Sequence, residues 1–312
     1  RPWESAPDLD AQSVGDWLDG LGLRRATRVH QRIWRSVDYG APPERLSLLQ
    51  YARDERLWKQ AVERPSGRVN GGMDQLPRKM AAELGERVWL SSPVQAISQD
   101  AGSVRVRFQR AGSFGTLRAA LGVVAIPPPA LRRIVLDPSL QGPQGAAIQR
   151  LPMGRIVKVM VQVRRRFWED LGLSGRAFTD GLIQAMYETT AGLPGPRAIL
   201  TVYTADHAAD TLSGMAEDAR RAAVLDTLEQ LYPGCSRDVE RLVTVAWDRA
   251  SPSGGAYTHF QPTEMTRFGP WLAEPLGRLH VAGEHTDQWQ ATMNGALASG
   301  IRAAGEILGR LD

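Results

Sequence analysis

The chain has 312 residues, 43% of them hydrophobic, and a formal net charge of +4, enough to bury a large core in one big domain or two ordinary ones. No apolar run approaches the roughly 20 residues of a membrane-spanning helix, no basic, apolar leader opens the chain, and the small, scattered positive excess argues against a nucleic-acid surface. A single cysteine, Cys235, excludes an internal disulfide framework and a cysteine metal cluster, and suits a reducing, cytoplasmic setting.

The sequence starts at Arg1, and RPWESAPDLD offers no initiation context, so a processed subunit, a fragment or a trimmed chain is expected. Residues 13 to 60 read as a helical block. Ser13 is placed as an N-cap with Asp16 three residues on, Gly20 and Gly22 stop that helix, and Pro43 opens a later one. Gly71 and Gly72 turn the chain into a short amphipathic helix in which Met73, Leu76 and Met80 share a face, expected to pack in the core, and Gly85 ends it. From 87 to 126 the pattern changes to the extended runs RVWL, VQAI, SVRVRF and LGVVAI, closed by Pro127, Pro128 and Pro129. A second extended set follows at 154 to 163, 181 to 188 and 197 to 203, then a helix across 215 to 231 and a strand at 240 to 247. Arg164, Arg165 and Arg166 read as a solvated strand end. There is no repeat or low-complexity tract, and the class is mixed α and β.

One strand of that second set, RIVKVMV (155 to 161), carries a lysine where its neighbours are apolar. Alternation puts Arg155, Val157, Val159 and Val161 on one face and Ile156, Lys158 and Met160 on the other. Burying an ammonium without a partner costs several kcal/mol or lowers its pKa by up to roughly 3 to 5 units. Two readings stand: a functional lysine, or an edge strand whose lysine reaches solvent along its stem.

The closing segment is the most informative. RLHVAGE (278 to 284) reads as a buried strand ending at a glycine, and after a polar loop MNGALASGIRAAGEIL begins a helix rich in small residues. Gly283 and the crowding of Gly295, Ala296, Ser299 and Gly300 would let a flat ligand approach the backbone, with free helix-start amides facing an anionic oxygen. The same small residues also suit tight packing of helix on sheet.

VAGEHTDQWQATMNGALASGIRAAGEIL resembles the C-terminal flavin-binding signature of the flavin-dependent amine oxidases, in the AGEHT form of L-amino-acid and polyamine oxidases. VNGGMDQLPRKMAAELG, SSPVQAI, VVAIPPPAL, LPMGRIVKVMV and AWDRASPSGGAYTHFQP are similar to successive landmarks of that family in the same order, so the resemblance covers nearly the whole chain. The sequence contains no GxGxxG, and RPWES is similar to a point well inside the usual family chain. The fold implied is α/β, mixed α+β: an FAD-binding doubly wound domain lacking its first βαβ unit, with a substrate domain of mixed sheet and helices. Residues 1–70 are assigned to the helical part of the substrate domain, 71–150 to the FAD-binding part, 151–245 to the sheet and helices of the substrate domain, and 246–312 to the C-terminal FAD-binding part.

The same resemblance assigns roles. Lys158 falls on the lysine that holds a water near flavin N5 and assists reaction with oxygen. Tyr257 matches the tyrosine beside the flavin and Trp247 a tryptophan near the ring; by themselves both also fit ordinary packing. Val94 would meet the adenine through its backbone, Gly283 and Glu284 would lie at the ribityl chain, and the Met293 amide would stabilise charge on the reduced ring. Ala256 replaces the cysteine of covalently flavinylated members, so the FAD is expected to be noncovalent. Thr292 stands where many relatives place a second aromatic, which leaves an amino acid or polyamine substrate open. The expected reaction oxidises an amine or L-amino acid to an imine, with O2 reduced to H2O2. The alternatives are a chain that needs a partner supplying the dinucleotide-binding segment, or a non-enzymatic remnant. Association, with a missing subunit or with itself, is expected from the open sheet edge.

Overall fold

The computed structural model describes residues 6–61, 69–249 and 252–311; the opening residues 1–5 and the serine at 251 of the AWDRASPSGG landmark lie outside the described residues. Helices α1 (Pro7–Asp10), α2 (Val14–Gly20), α3 (Arg25–Tyr39), α4 (Leu48–Ala61) and α5 (Gln75–Leu84) lead. Strands β1 (Val94–Gln99), β2 (Val104–Arg110), β3 (Ser113–Ala119) and β4 (Gly122–Val124) follow, then α6 (Pro128–Leu131), β5 (Val135–Asp137) and α7 (Gly142–Arg150). Next come β6 (Ile156–Val163), β7 (Ala177–Phe178), β8 (Ala185–Glu188), β9 (Ala198–Ala205), α8 (Asp206–Gly214), α9 (Glu217–Leu231) and β10 (Val239–Ala246). The chain closes with α10 (Glu264–Phe268), β11 (Leu279–Val281) and α11 (Met293–Leu311).

This is the mixed α/β architecture expected. One sheet, ordered β3-β2-β1-β5, is an antiparallel meander with β5 added in parallel; a second runs β10-β6-β9-β8-β7, all antiparallel; a third is the short parallel pair β11-β4. The second sheet has a clear inside. Val157, Val159, Val161 and Val163 of β6 join Leu200 and Val202 of β9 and Leu212, Val224 and Leu228 of α8 and α9 in one core, as period-two strands backed by helices must. Cys235 is buried in that same core. A separate core joins Ile97, Val104 and Val124 to Leu276, Leu279 and Val281, residues far apart in sequence.

Several expectations need correction. Met73, Leu76 and Met80 do share a face of α5 or its entry turn, but that face is exposed and no residue of α5 is buried: amphipathic spacing buries a face only where another element meets it, and among the described residues none does. RVWL forms no strand. Residues Gly85–Arg87 make a single 3-10 turn, and Trp89 is held locally by its indole N–H to the Glu86 carbonyl (3.1 Å) and by its ring against Phe108. Of 181 to 188, only Ala185–Glu188 is strand. Pro43 opens a 3-10 turn, Pro43–Arg45, rather than the helix that follows it. The Ser13 cap forms as expected, with Asp16 returning the bond to complete a capping box. Among the described residues no helix is long and apolar enough to cross a membrane.

Candidate active site

Lys158 is not on an edge. β6 lies between β10 and β9, with Lys158 opposite Val245 on one side and Tyr203 on the other. Its side chain leaves the half-open face of the sheet, opposite the valine core. The Nζ sits 4.7 Å from the centroid of the Tyr203 ring, a favourable seat for an ammonium on an aromatic face. Among the described residues it has no carboxylate within ion-pair distance, and burial lowers its pKa.

The tyrosines beside it are tied to the helical block. The Tyr257 hydroxyl lies 2.6 Å from the Asp38 carbonyl and 3.2 Å from the Tyr203 hydroxyl. A carbonyl only accepts, so the Tyr257 proton goes to Asp38, and Tyr203 donates to Tyr257. Burial pushes Tyr203 up to about 12 and Tyr257 well above the ordinary phenol range, so both stay neutral donors. This crossing depends on two glycines. A side chain at Gly40 or at Gly154 would meet backbone atoms of the other's segment at 2.6 Å, and Arg155 N–H donates to the Gly40 carbonyl at 2.7 Å. The end of α3 thereby reaches the start of β6.

These groups open on a cavity of about 570 Å3, whose lining includes Lys158, Tyr203, Tyr257 and Thr292 together with side chains of α3 and α4. Trp34, Arg35 and Asp38 come from α3, and Tyr51, Asp54, Glu55 and Trp58 from α4. Asp38, open to the cavity but walled in elsewhere, is pushed up to about 6 by burial, against the pull of Arg35. Asp54 is raised by burial despite Arg53 beside it and accepts from the Tyr39 hydroxyl at 3.0 Å. None of these residues beyond Lys158, Tyr257 and Thr292 was singled out from the sequence. A signal existed: Tyr51, Asp54, Glu55 and Trp58 stand at i, i+3, i+4 and i+7, a helical stripe of aromatic and acidic residues where a core stripe would be aliphatic.

The remaining sequence-derived residues fall around this cavity to different degrees. Glu284, just past β11, accepts from the backbone and hydroxyl of Thr258 (3.0 and 3.1 Å) and from Ala291 N–H (2.8 Å). It therefore ties the loop after Tyr257 to the loop before Thr292, and burial raises its pKa against those hydrogen bonds. Ala291 sits at φ 60, a left-handed conformation that this bond holds in place. Gly283 has φ 132, and a side chain there would strike the His285 ring at 2.5 Å; its N–H donates to Ser299 Oγ of α11 at 2.8 Å. Thr292 caps α11, accepting from Gly295 N–H at 3.0 Å. Helix geometry then leaves the Met293 and Asn294 amides without intrahelical partners, and Met293 is half-exposed. The close approach expected at Gly295 is made by protein: the Trp289 carbonyl occupies the space of its missing side chain. Trp247 does not line the cavity. It follows β10 two residues after Val245, on the face Lys158 shares, with its N–H on the Ile156 carbonyl at 3.0 Å and its side chain open. Val94 lies in the other sheet, beside a bulge that breaks its ladder before Ala96.

The chain matches the family described as flavin containing amine oxidoreductase over residues 3–308. It is 30% identical over 98% of its length to AofH of Mycobacterium tuberculosis, which carries the name of a flavin-containing monoamine oxidase, and 29% identical over 99% to an L-amino acid dehydrogenase of Synechocystis. It spans 68% and 66% of those two proteins. Its structure superposes on cyclohexylamine oxidase of Brevibacterium oxydans with a TM-score of 0.87 at 26% identity, covering 100% of this chain and 71% of that one. A lysine on the open face of an interior strand, a tyrosine-walled cavity beside it and a match over nearly the whole length agree: the chain belongs to the flavin-containing amine oxidoreductase family.

Proposed function

We propose that the chain oxidises the C–N bond of an amine to an imine, with O2 as the final acceptor and H2O2 as product. The observation that carries this reading is Lys158: an ammonium on an interior strand, unpaired by any carboxylate among the described residues and opening on the same cavity as Tyr257. FAD is the cofactor of the family, and the residues present fit it. The first amides of α11 lack intrahelical partners at the positive end of a helix dipole, the Met293 side chain there is open, and Gly283 holds the strand end in a conformation a side chain would block.

In that arrangement the Met293 amide would receive negative charge at the ring edge, Glu284 would accept from ribityl hydroxyls with its remaining lone pairs, and the Val94 backbone would meet the adenine. With Ala256 before Tyr257 and Cys235 buried in the valine core on the face of β6 opposite Lys158, no thiol lies at the site, so the FAD is held noncovalently. Bound flavin supplies the hydride acceptor and, afterwards, the reductant for oxygen. The chain's residues do the rest. Tyr203 and Tyr257 wall the amine in, their hydroxyls committed to each other and to Asp38. Lys158 holds a water at Nζ and delivers a proton where oxygen is reduced. Water admitted through the open side hydrolyses the imine.

A corollary concerns partners. The outer face of α11 exposes Leu297, Ile301 and Leu308, and Val123 is open on the parallel pair β11-β4. A further strand and helix, from the same polypeptide or from another chain, would cover both. Light scattering after gel filtration tests it: a monodisperse monomer that retains FAD counts against a partner.

The first experiment is a visible spectrum before and after incubation with FAD, then a peroxide screen over amines and amino acids. A retained flavin band with peroxide production supports the reading. Lys158→Met should slow turnover with oxygen on the order of 100-fold while the flavin band stays. Full oxygen turnover in that variant would remove the role given to Lys158.

A further inference from the structure

The cavity's charged groups discriminate between the two substrate classes that the sequence leaves open, an amino acid and a polyamine. An amino acid needs a cation with free donors for its carboxylate. Among the described residues lining the cavity the cations are Lys158, which sits at the reacting end over the Tyr203 ring, and Arg35, whose two terminal nitrogens are both engaged. One terminal nitrogen lies between Asp38 (3.4 Å) and Glu55 (3.7 Å), and the other bonds the Tyr51 hydroxyl (2.7 Å) and Gln31 (3.3 Å). Its Cζ lies 4.6 Å from the centroid of the Tyr51 ring, and its Nε is buried without a hydrogen-bond partner among the described residues. Arg53 is committed to Asp54 and to Gln290, both at 2.8 Å. The three carboxylates Asp38, Asp54 and Glu55 are matched in number by Arg35, Arg53 and Lys158, but the negative charge gathers at the helical wall, away from Lys158, where Asp38 and Glu55 flank one nitrogen of Arg35.

The aromatic lining agrees. Trp34 and Trp58 flank the acidic wall, and aromatic faces attract organic cations. A carboxylate brought to Arg35 would meet Asp38 and Glu55 head on, whereas an ammonium would find two acceptors and relieve the burial that holds Asp38 high.

Resting on the amine-oxidation reading, we propose that the substrate is a diamine or polyamine, and that Asp38 and Glu55, braced by Arg35, seat the second ammonium while the reacting nitrogen lies near Lys158 and Tyr257. Asp38 and Glu55 are specificity residues in this arrangement and take no part in the chemistry.

The test titrates the FAD-loaded protein with 1,4-diaminobutane, 1,6-diaminohexane, n-butylamine and L-norleucine, reading binding by tryptophan fluorescence and peroxide formation separately. At least one diamine should bind about tenfold more tightly than butylamine. Raising salt from about 20 to about 500 mM should shrink that ratio, and Asp38→Asn with Glu55→Gln should bring it near one. The salt series needs no variant, so it decides the matter even where a substitution unfolds the protein. Norleucine as the tightest ligand, or diamine and butylamine binding equally, overturns the diamine assignment. A diamine preference in binding with no peroxide from any compound leaves the assignment standing and overturns the oxidase reading.

Discussion

The Tyr257 hydroxyl has a single proton, and the Asp38 carbonyl takes it at 2.6 Å. Tyr257→Phe removes that donor and the acceptor of Tyr203 together, leaving a partly enclosed carbonyl and a buried hydroxyl to find water. A loss of about 1–3 kcal/mol in urea denaturation is expected; no loss would mean solvent replaces both bonds. The pair also shows what a sequence hides at this scale. Lys158 was legible because period two made one polar residue conspicuous in an apolar strand, and Tyr257 because a motif surrounds it. Tyr203 is an ordinary strand tyrosine until the β6-β9 register sets it opposite Lys158, and register is a tertiary fact. Asp38 and Glu55 lie on helices whose facing could not be known before the block was packed.

Elements with internal punctuation were readable. The capping box of α2 joins Ser13 Oγ to Asp16 N–H at 3.0 Å, and the Asp16 carboxylate accepts from the Ser13 N–H in return; all four atoms lie within four residues. Ser13→Ala should cost about 0.5–2 kcal/mol, and because α2 packs against α4 through Val14, Leu18 and Leu48 the loss should appear in global unfolding. A change confined to far-UV helicity, with the same urea midpoint, would show that α2 frays independently. Elements that failed did so for lack of local instruction: among the described residues, α5 has the spacing of a buried helix but nothing over its apolar face, and RVWL has strand residues but no partner strand. The helices α6, α7, α8 and α10, together with β3, passed unnoticed because each takes its cue from a neighbouring sheet or core more than from its own pattern.

Across the whole molecule, two buried imidazoles set a pH dependence. Among the described residues His259 has no partner for either ring nitrogen, and burial first, then Arg45 and Arg155, brings it to about 3; His285 is brought to about 4 by burial and Arg302. An unfolded histidine titrates near 6.5. Below that pH the unfolded chain binds protons that the folded chain refuses, so stability falls as pH falls, down to the folded values. Asp38, raised to about 6, and Asp54 and Glu284, both raised by burial, work the other way, so the slope is the histidines' contribution less theirs. Tm should therefore drop steadily from about pH 6.5 to about pH 4, and His259→Leu should flatten that slope; a level Tm in the parent chain would show both rings partnered in solution. The sheet and the helices also hold different responsibilities. Lys158 is held by ladder bonds to strands on both sides, whereas Trp34, Asp38, Glu55 and Trp58 stand on the two helices α3 and α4 that line the cavity with it. Reactivity and appetite can then change separately over generations. A mutant library confined to those four helix positions should yield descendants that accept different amines at similar intrinsic speed, while any slip of β6 by one residue would end the lineage's chemistry at once.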